Sequence, residues 1–301
     1  MPQVKANGIT IEYESFGRES DPVILLIMGF AAQLTLWPTA LCEGLAVKGF
    51  RVIRFDNRDI GKSTHLSQLG APNVPEAMMK RMSGQAVTVP YQLDDMAQDA
   101  ASLLDALGIR KAHIVGASMG GMIAQIVAAK HPVHTASLTS IMSTTGRMDL
   151  PPAKPEAMAA LTTPPVSDSR EDRIAAGLRI AKALGSPGFP ANETDLRRDV
   201  EAAVDRAPYD ADGVARQLLA IVAASPRNDL LKTVKAPSQV IHGAEDPILT
   251  VEGGKDTADS IPGAKLHIVP GMAHDFPAAL IPTYIQLIGD FAKSVEKAKA
   301  A

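Results

Sequence analysis

Hydrophobic and polar positions change period along the chain. Ile9, Ile11 and Tyr13 fall at every second position, the mark of a half-exposed strand, and Asn7-Gly8 before them is a hairpin signal after residues 3–6. Residues 23–28 are continuously apolar, which suits a strand covered on both faces. Residues 50–55, 112–117, 136–142, 238–243 and 264–271 read as further strands. Between them the period lengthens to that of helices, over 36–48, 93–107, 119–130, 251–260 and 277–297. Several of these helices stop at glycine or before proline, as at Gly49, Gly108 and His131-Pro132. Residues 56–85 are polar and turn-rich, a loop with room for short helices, and the tail from Glu296 to Ala301 is expected to fray.

Strands alternating with helices predict an α/β fold, a mostly parallel sheet with helices on both faces. Residues 144–227 break the alternation. Prolines at 151, 152, 155, 164, 165, 187, 190 and 208 separate helical stretches such as 170–184 and 194–207, and no strand-like run appears. The expected organisation is a core of residues 1–143 and 228–301 with a helical cap inserted over 144–227.

Composition narrows the function. Thirty basic against 33 acidic residues, with no Lys/Arg run, argue against a nucleic-acid partner. The single cysteine, Cys42, forbids an internal disulfide and a cysteine zinc site, and fits a reducing compartment. The N-terminus shows no secretory pattern and no apolar run is long enough for a bilayer. The expectation is a cytoplasmic protein without a membrane partner, monomer or homodimer, in which the Asn192-Glu193-Thr194 sequon carries no glycan.

In parallel α/β sheets ligands bind beyond the carboxyl ends of the strands. Three such positions carry chemistry. Gly116-Ala117-Ser118-Met119-Gly120 lies between a strand and a helix, where a sharp turn lifts a serine clear of the backbone. The bare motif is common; its placement gives it weight against a plain glycine-rich turn. Asp246, before Pro247 and after the strand 238–243, could orient an imidazole, although Asp-Pro also starts ordinary turns. His274, in the loop after 264–271, could serve as the base that a serine nucleophile needs.

The other histidines read differently. His113 and His267 lie in strands, His131 and His134 at segment ends, His242 at a strand end where it packs, and His65 in a loop without a partner. An oxyanion would be held by the Met119 and Phe30 backbone N–H groups, with Gly29 allowing the turn. Met28, Gly29, Met148 and Leu150 are candidate pocket walls. Asp56, Arg58 and Asp59 read as a structural ion-pair network, and Gly61-Lys62-Ser63 lacks the upstream glycine of a phosphate loop because Asp56 stands there.

The order Ser118, Asp246, His274 and the motifs MGF (28–30), FDNRDIGKS (55–63), GASMGG (116–121), GAEDP (243–247) and PGMAHDF (270–276) resemble the α/β-hydrolase superfamily. Within it, the segments around 26–37, 52–64 and 261–277 are similar to bacterial carboxylesterases of the aclacinomycin methylesterase type. The resemblance implies the α/β-hydrolase fold with an eight-stranded sheet. It further implies a Ser118–His274–Asp246 triad and hydrolysis of a small or medium lipophilic ester without metal or organic cofactor. The same triad serves lactonases, cofactor-free haloperoxidases or perhydrolases and C–C bond hydrolases, and the fold also carries non-catalytic receptors. Serine at 118 argues against the dehalogenases and epoxide hydrolases, whose nucleophile is aspartate. One departure stands out. Many relatives carry His-Gly before the oxyanion donor, whereas this chain carries Met28-Gly29.

Overall fold

The computed structural model describes residues 1–300. Eight strands, β1 (Gln3–Ala6), β2 (Ile9–Phe16), β3 (Val23–Ile27), β4 (Arg51–Phe55), β5 (Ala112–Ala117), β6 (Thr135–Ile141), β7 (Ser238–Gly243) and β8 (Lys265–Val269), form one sheet in the order β1-β2-β4-β3-β5-β6-β7-β8. The pairings of β2 with β1 and β4 are antiparallel, and those from β4 onward are parallel.

Helices α1 (Thr39–Val47), α2 (Val74–Met82), α3 (Leu93–Ala106) and α4 (Met119–Lys130) precede β6. Between β6 and β7 the chain runs through α5 (Pro155–Thr162), α6 (Arg170–Leu184), α7 (Glu193–Arg206), α8 (Ala211–Ala223) and α9 (Asn228–Leu231) without adding a strand. Helices α10 (Val251–Ser260) and α11 (Ile281–Ala300) complete the chain.

The unbroken apolar runs have a simple cause. Alternate residues of one strand point to opposite faces, and both faces are covered. Leu25, Ile27, Ile53 and Ile114 pack against α3 and α4 through Leu103, Leu104 and Ile123. Ile24, Leu26, Val52 and Val115 pack on the other face against α1 and α11 through Leu41, Leu45, Tyr284 and Ile288. From β3 the chain first adds β4 on one side and then β5 on the other. The crevice at that reversal is where a parallel sheet offers a ligand site.

Several boundaries differ from the sequence reading. The helix expected over 36–48 begins at Thr39 because Pro38 caps it and holds Trp37 extended (ψ 111°), leaving a short 3₁₀ turn at Leu34–Leu36. The helix expected from 277 begins at Ile281 after a 3₁₀ turn, Ala278–Leu280. The tail expected to fray is helical to residue 300, and Ala301 lies outside the described residues. Asn192 has a local role: its side chain accepts from the N–H groups of Thr194 (2.9 Å) and Asp195 (3.2 Å) and caps α7.

Candidate active site

Ser118 joins β5 to α4 in a backbone conformation that L-residues avoid, φ 57° and ψ −123°. Such a residue costs about 1–3 kcal/mol and persists only where its surroundings over-determine it. Here they do. The Ser118 N–H donates to Ile141 O (3.0 Å), and its carbonyl accepts from the Gly121 N–H (2.9 Å) and the Ser143 hydroxyl (2.8 Å). The turn also needs glycine beside it. A Cβ on Gly120 would sit 2.0 Å from the Ile27 carbonyl oxygen, so α4 can lie this close to β3 only without a side chain there.

Ser118 Oγ lies 2.9 Å from His274 Nε2, and His274 Nδ1 lies 2.7 Å from Asp246 Oδ2. Three loops, after β5, β7 and β8, thus meet at one sheet edge. The other carboxylate oxygen, Oδ1, accepts from the Ile248 and Leu249 N–H groups, both at 2.9 Å. Burial pushes the Asp246 carboxyl up, but the facing His274 imidazole and the Leu249 N–H outweigh it and hold the group below the usual carboxylate range. Asp246 therefore stays ionised near neutrality and fixes His274 with Nδ1 as donor and Nε2 facing the serine.

A Cβ on Gly29 would lie 3.0 Å from Ser118 Cβ and 3.5 Å from its Oγ, so the loop after β3 abuts the serine. Phe30 follows in that loop, and Met119 opens the first turn of α4. Among the described residues, neither the Phe30 nor the Met119 N–H donates to another protein group. Met28 is buried and Leu150 half-buried. Met148, expected at a pocket wall, is 70% exposed, its sulfur 3.6 Å from Arg81 Nη2. The neighbouring Arg147 bonds Asp149 and Asp256 (2.8 Å), and these surface ion pairs turn the segment outward. A cavity of about 280 Å³ lies elsewhere, lined by Gln92, Ile126, Lys130 and Arg227, and none of Ser118, Asp246 and His274 lines it.

The residues that grip the histidine loop escaped sequence reasoning. The His274 N–H donates to Leu184 O (3.0 Å) at the end of α6. Ser186 accepts from the Ala273 N–H (2.8 Å), and its hydroxyl donates to Asp275. The Gly188 N–H donates to Gly271 O (3.0 Å). Segment 184–188 thus runs along the histidine loop on both sides of His274. No local pattern marks Ser186, whose partners lie far along the chain.

Asp56, Arg58 and Asp59 form ion pairs away from Ser118, each with a different partner. Arg58 pairs with Asp99 (2.6 Å), Asp56 with Arg206 (2.8 Å), and Asp59 with Arg216 (2.8 Å). The last two tie α7 and α8 to the loop after β4. His65, read as partnerless, is a correction: its Nδ1 lies 2.7 Å from Asp210 Oδ2. Ligand atoms of Asp59, His65 and Asp210 come within 4.8 Å of one another, but Arg216 already bonds both Asp59 oxygens, leaving an ion-pair cluster rather than a metal cage.

His242 is fully buried, donates from Nε2 to Leu249 O (2.7 Å) and sits 3.6 Å from Asp246 Oδ2. Burial pushes its pKa below the ordinary 6.5, and nearby Asp246 only partly opposes this. The unfolded chain therefore takes up this proton at a higher pH than the folded one, so protons favour unfolding. Its contribution is complete above about pH 6.5 and declines as the pH falls toward the folded-state value. His242→Gln can keep the bond to Leu249 and cannot titrate. Its thermal midpoint should fall less steeply than the wild type's on acidification below that pH, whereas parallel profiles would remove His242 from the account.

A half-buried serine on a strand-to-helix turn at the switch point of a doubly wound sheet, with an imidazole and a carboxylate brought to it by later loops, is an arrangement that points to a class. The chain belongs to the alpha/beta hydrolase fold family, whose sequence profile matches residues 22–277. It is similar to the rhodomycin D methylesterase of Streptomyces sp. (strain C5), 26% identical over 299 residues that cover 92% of this chain and 93% of that one. It is also similar to the rhodomycin D methylesterase of Streptomyces peucetius, 26% identical with 90% and 91% covered. The solved enol-lactonase of Burkholderia xenovorans LB400 shares the fold, with a TM-score of 0.69 at 21% identity, covering 97% of this chain and 100% of that one. Among the described residues, no helix is long and apolar enough to cross a membrane.

Proposed function

We propose that the protein is a serine hydrolase that cleaves the carboxylic ester of a small or medium lipophilic molecule through an acyl-enzyme. The observation that carries the reading is the hydrogen-bonded chain from Ser118 Oγ through His274 to Asp246, at 2.9 and 2.7 Å. His274 Nε2 takes the Ser118 proton as Oγ attacks the carbonyl carbon. The Phe30 and Met119 N–H groups receive the negative oxygen. The intermediate collapses, the ester C–O bond breaks, and His274 passes its proton to the leaving alkoxide. Water then attacks the acyl-enzyme, giving its proton to His274, which returns it to Ser118 as the acid departs. Asp246 steadies the imidazolium in both halves. No step calls for a metal or an organic cofactor.

The likeness to two methylesterases favours a carboxylic ester with a small alcohol. Helices α5 to α8, lying between β6 and β7, act as the cap that walls the substrate. The single buried thiol of Cys42 suits a cytoplasmic enzyme. A fluorophosphonate probe should add one adduct, on Ser118, and abolish hydrolysis of p-nitrophenyl and methyl esters together. Faster turnover of lactones, peracids or β-diketones by the unlabelled protein, lost once Ser118 is labelled, would reassign the bond cleaved. A protein that takes no adduct at Ser118 would not be a serine hydrolase.

A further inference from the structure

We propose that Asn57 and Gln217 are positioning residues that jointly aim the Phe30 N–H. The inference rests on the ester-hydrolase reading and adds what holds its oxyanion donor. Phe30 N–H belongs to the peptide between Gly29 and Phe30, and that peptide is flanked by two fixed ones. On one side, the Asn57 Nδ2 donates to Met28 O at 2.9 Å. On the other, the Ala31 N–H donates to Gln217 Oε1 at 3.0 Å. The two amides are joined, because Gln217 Nε2 donates to Arg58 O (2.8 Å), one residue beyond Asn57.

Each feature needs the others. Gly29 has no Cβ to restrict its backbone, and Ala31 occupies the left-handed region at φ 56°, which an alanine leaves unless something holds it. Gln217 holds it. Asn57 is 2% exposed and Gln217 0%, so both amides are shielded from water, and each bond that they make fixes a backbone group of the loop. Neither amide is placed against the reacting atoms, which makes their action indirect. Gln217 comes from α8, between β6 and β7, so a residue of the inserted helices sets the geometry of a donor on the sheet.

The test separates aim from packing. Gln217→Met keeps the length and volume and removes both hydrogen bonds. A trifluoromethyl ketone, whose adduct with Ser118 carries the oxyanion, reports on the donor directly, and p-nitrophenyl acetate reports on turnover. The variant should keep its KM within about threefold, lose kcat by about 10–100-fold, and bind the ketone more weakly by a similar factor, less than complete loss of a donor would cost. Asn57→Ala should give the same signature and carries the test if Gln217→Met does not fold. A folded variant with unchanged kcat and ketone affinity overturns the positioning role, and so does a loss confined to KM. If the wild-type protein neither forms the ketone adduct nor hydrolyses the ester, the ester-hydrolase reading falls and this inference falls with it.

Discussion

Ser118→Ala should lower kcat by about 10⁵–10⁶-fold while the protein stays folded. The size follows from the role. With Oγ gone, no acyl-enzyme forms, and only the oxyanion donors and substrate binding remain to assist direct attack by water, worth about 10³–10⁴-fold over the uncatalysed reaction. The stability cost should be small. Alanine loses one half-buried hydrogen bond to His274, about 1 kcal/mol. The strained backbone at φ 57° already carries the serine Cβ, which alanine keeps, so the substitution adds no new clash there. KM should move little, because the hydroxyl contributes to the transition state rather than to holding the ester. His274→Ala should cost about as much, and the double variant no more than either alone, since the two act as one unit. Asp246→Asn should cost about 10⁴-fold by releasing the imidazole to the wrong tautomer. Burst-free steady-state turnover with thermal midpoints measured alongside checks the series. Additive losses, or a Ser118→Ala variant within tenfold of wild type, would remove the serine from the chemistry.

Why some of this was legible and some not comes down to range. The strands announced themselves because burial on both faces leaves a run such as Val23–Ile27 no polar position. The serine turn was legible because strand, tight turn and helix are contiguous in sequence. Asp246 and His274 could be proposed because each follows its own strand directly. The exposure of Met148 carried no signal, because apolarity says nothing about which way an irregular segment faces, and the Arg147–Asp256 ion pair beside it is long-range. Ser186, Arg206, Arg216 and Gln217 carried no signal at all. Ser186 meets Ala273, 87 positions away, and Arg216 meets Asp59, 157 positions away; a lone serine or arginine in a helical stretch reads as solvated. The clamps on the site are long-range polar contacts, the kind that periodicity cannot reveal.

The largest stability effect should come from one of those contacts. Arg216 and Asp59 side chains are both 0% exposed. The pairing is bidentate, Nε to Oδ2 at 2.9 Å and Nη2 to Oδ1 at 2.8 Å, and Nη1 donates to Gly70 O at 2.9 Å. A buried pair of this kind gains little over an apolar pair, since desolvation consumes most of the attraction, but breaking one half strands the other. Arg216→Met should therefore cost about 3–5 kcal/mol, with a fall in thermal midpoint of roughly 5–10 °C. The carboxylate left behind retains the Leu66 N–H at 2.7 Å, a neutral donor that does not neutralise it. Asp59→Asn in the same background removes that stranded charge. Asparagine tolerates the φ of 66° at this position and can still accept from Leu66, so the double variant should recover a good part of the loss. The recovery is the informative half of the experiment. A packing defect from shortening Arg216 would persist in the double variant, whereas an electrostatic one is relieved by taking the charge away. Catalysis should follow stability only through α8: Gln217 is the next residue, so a drop in kcat in Arg216→Met at temperatures where the protein remains folded would mean that the ion pair also sets the seat of the oxyanion loop.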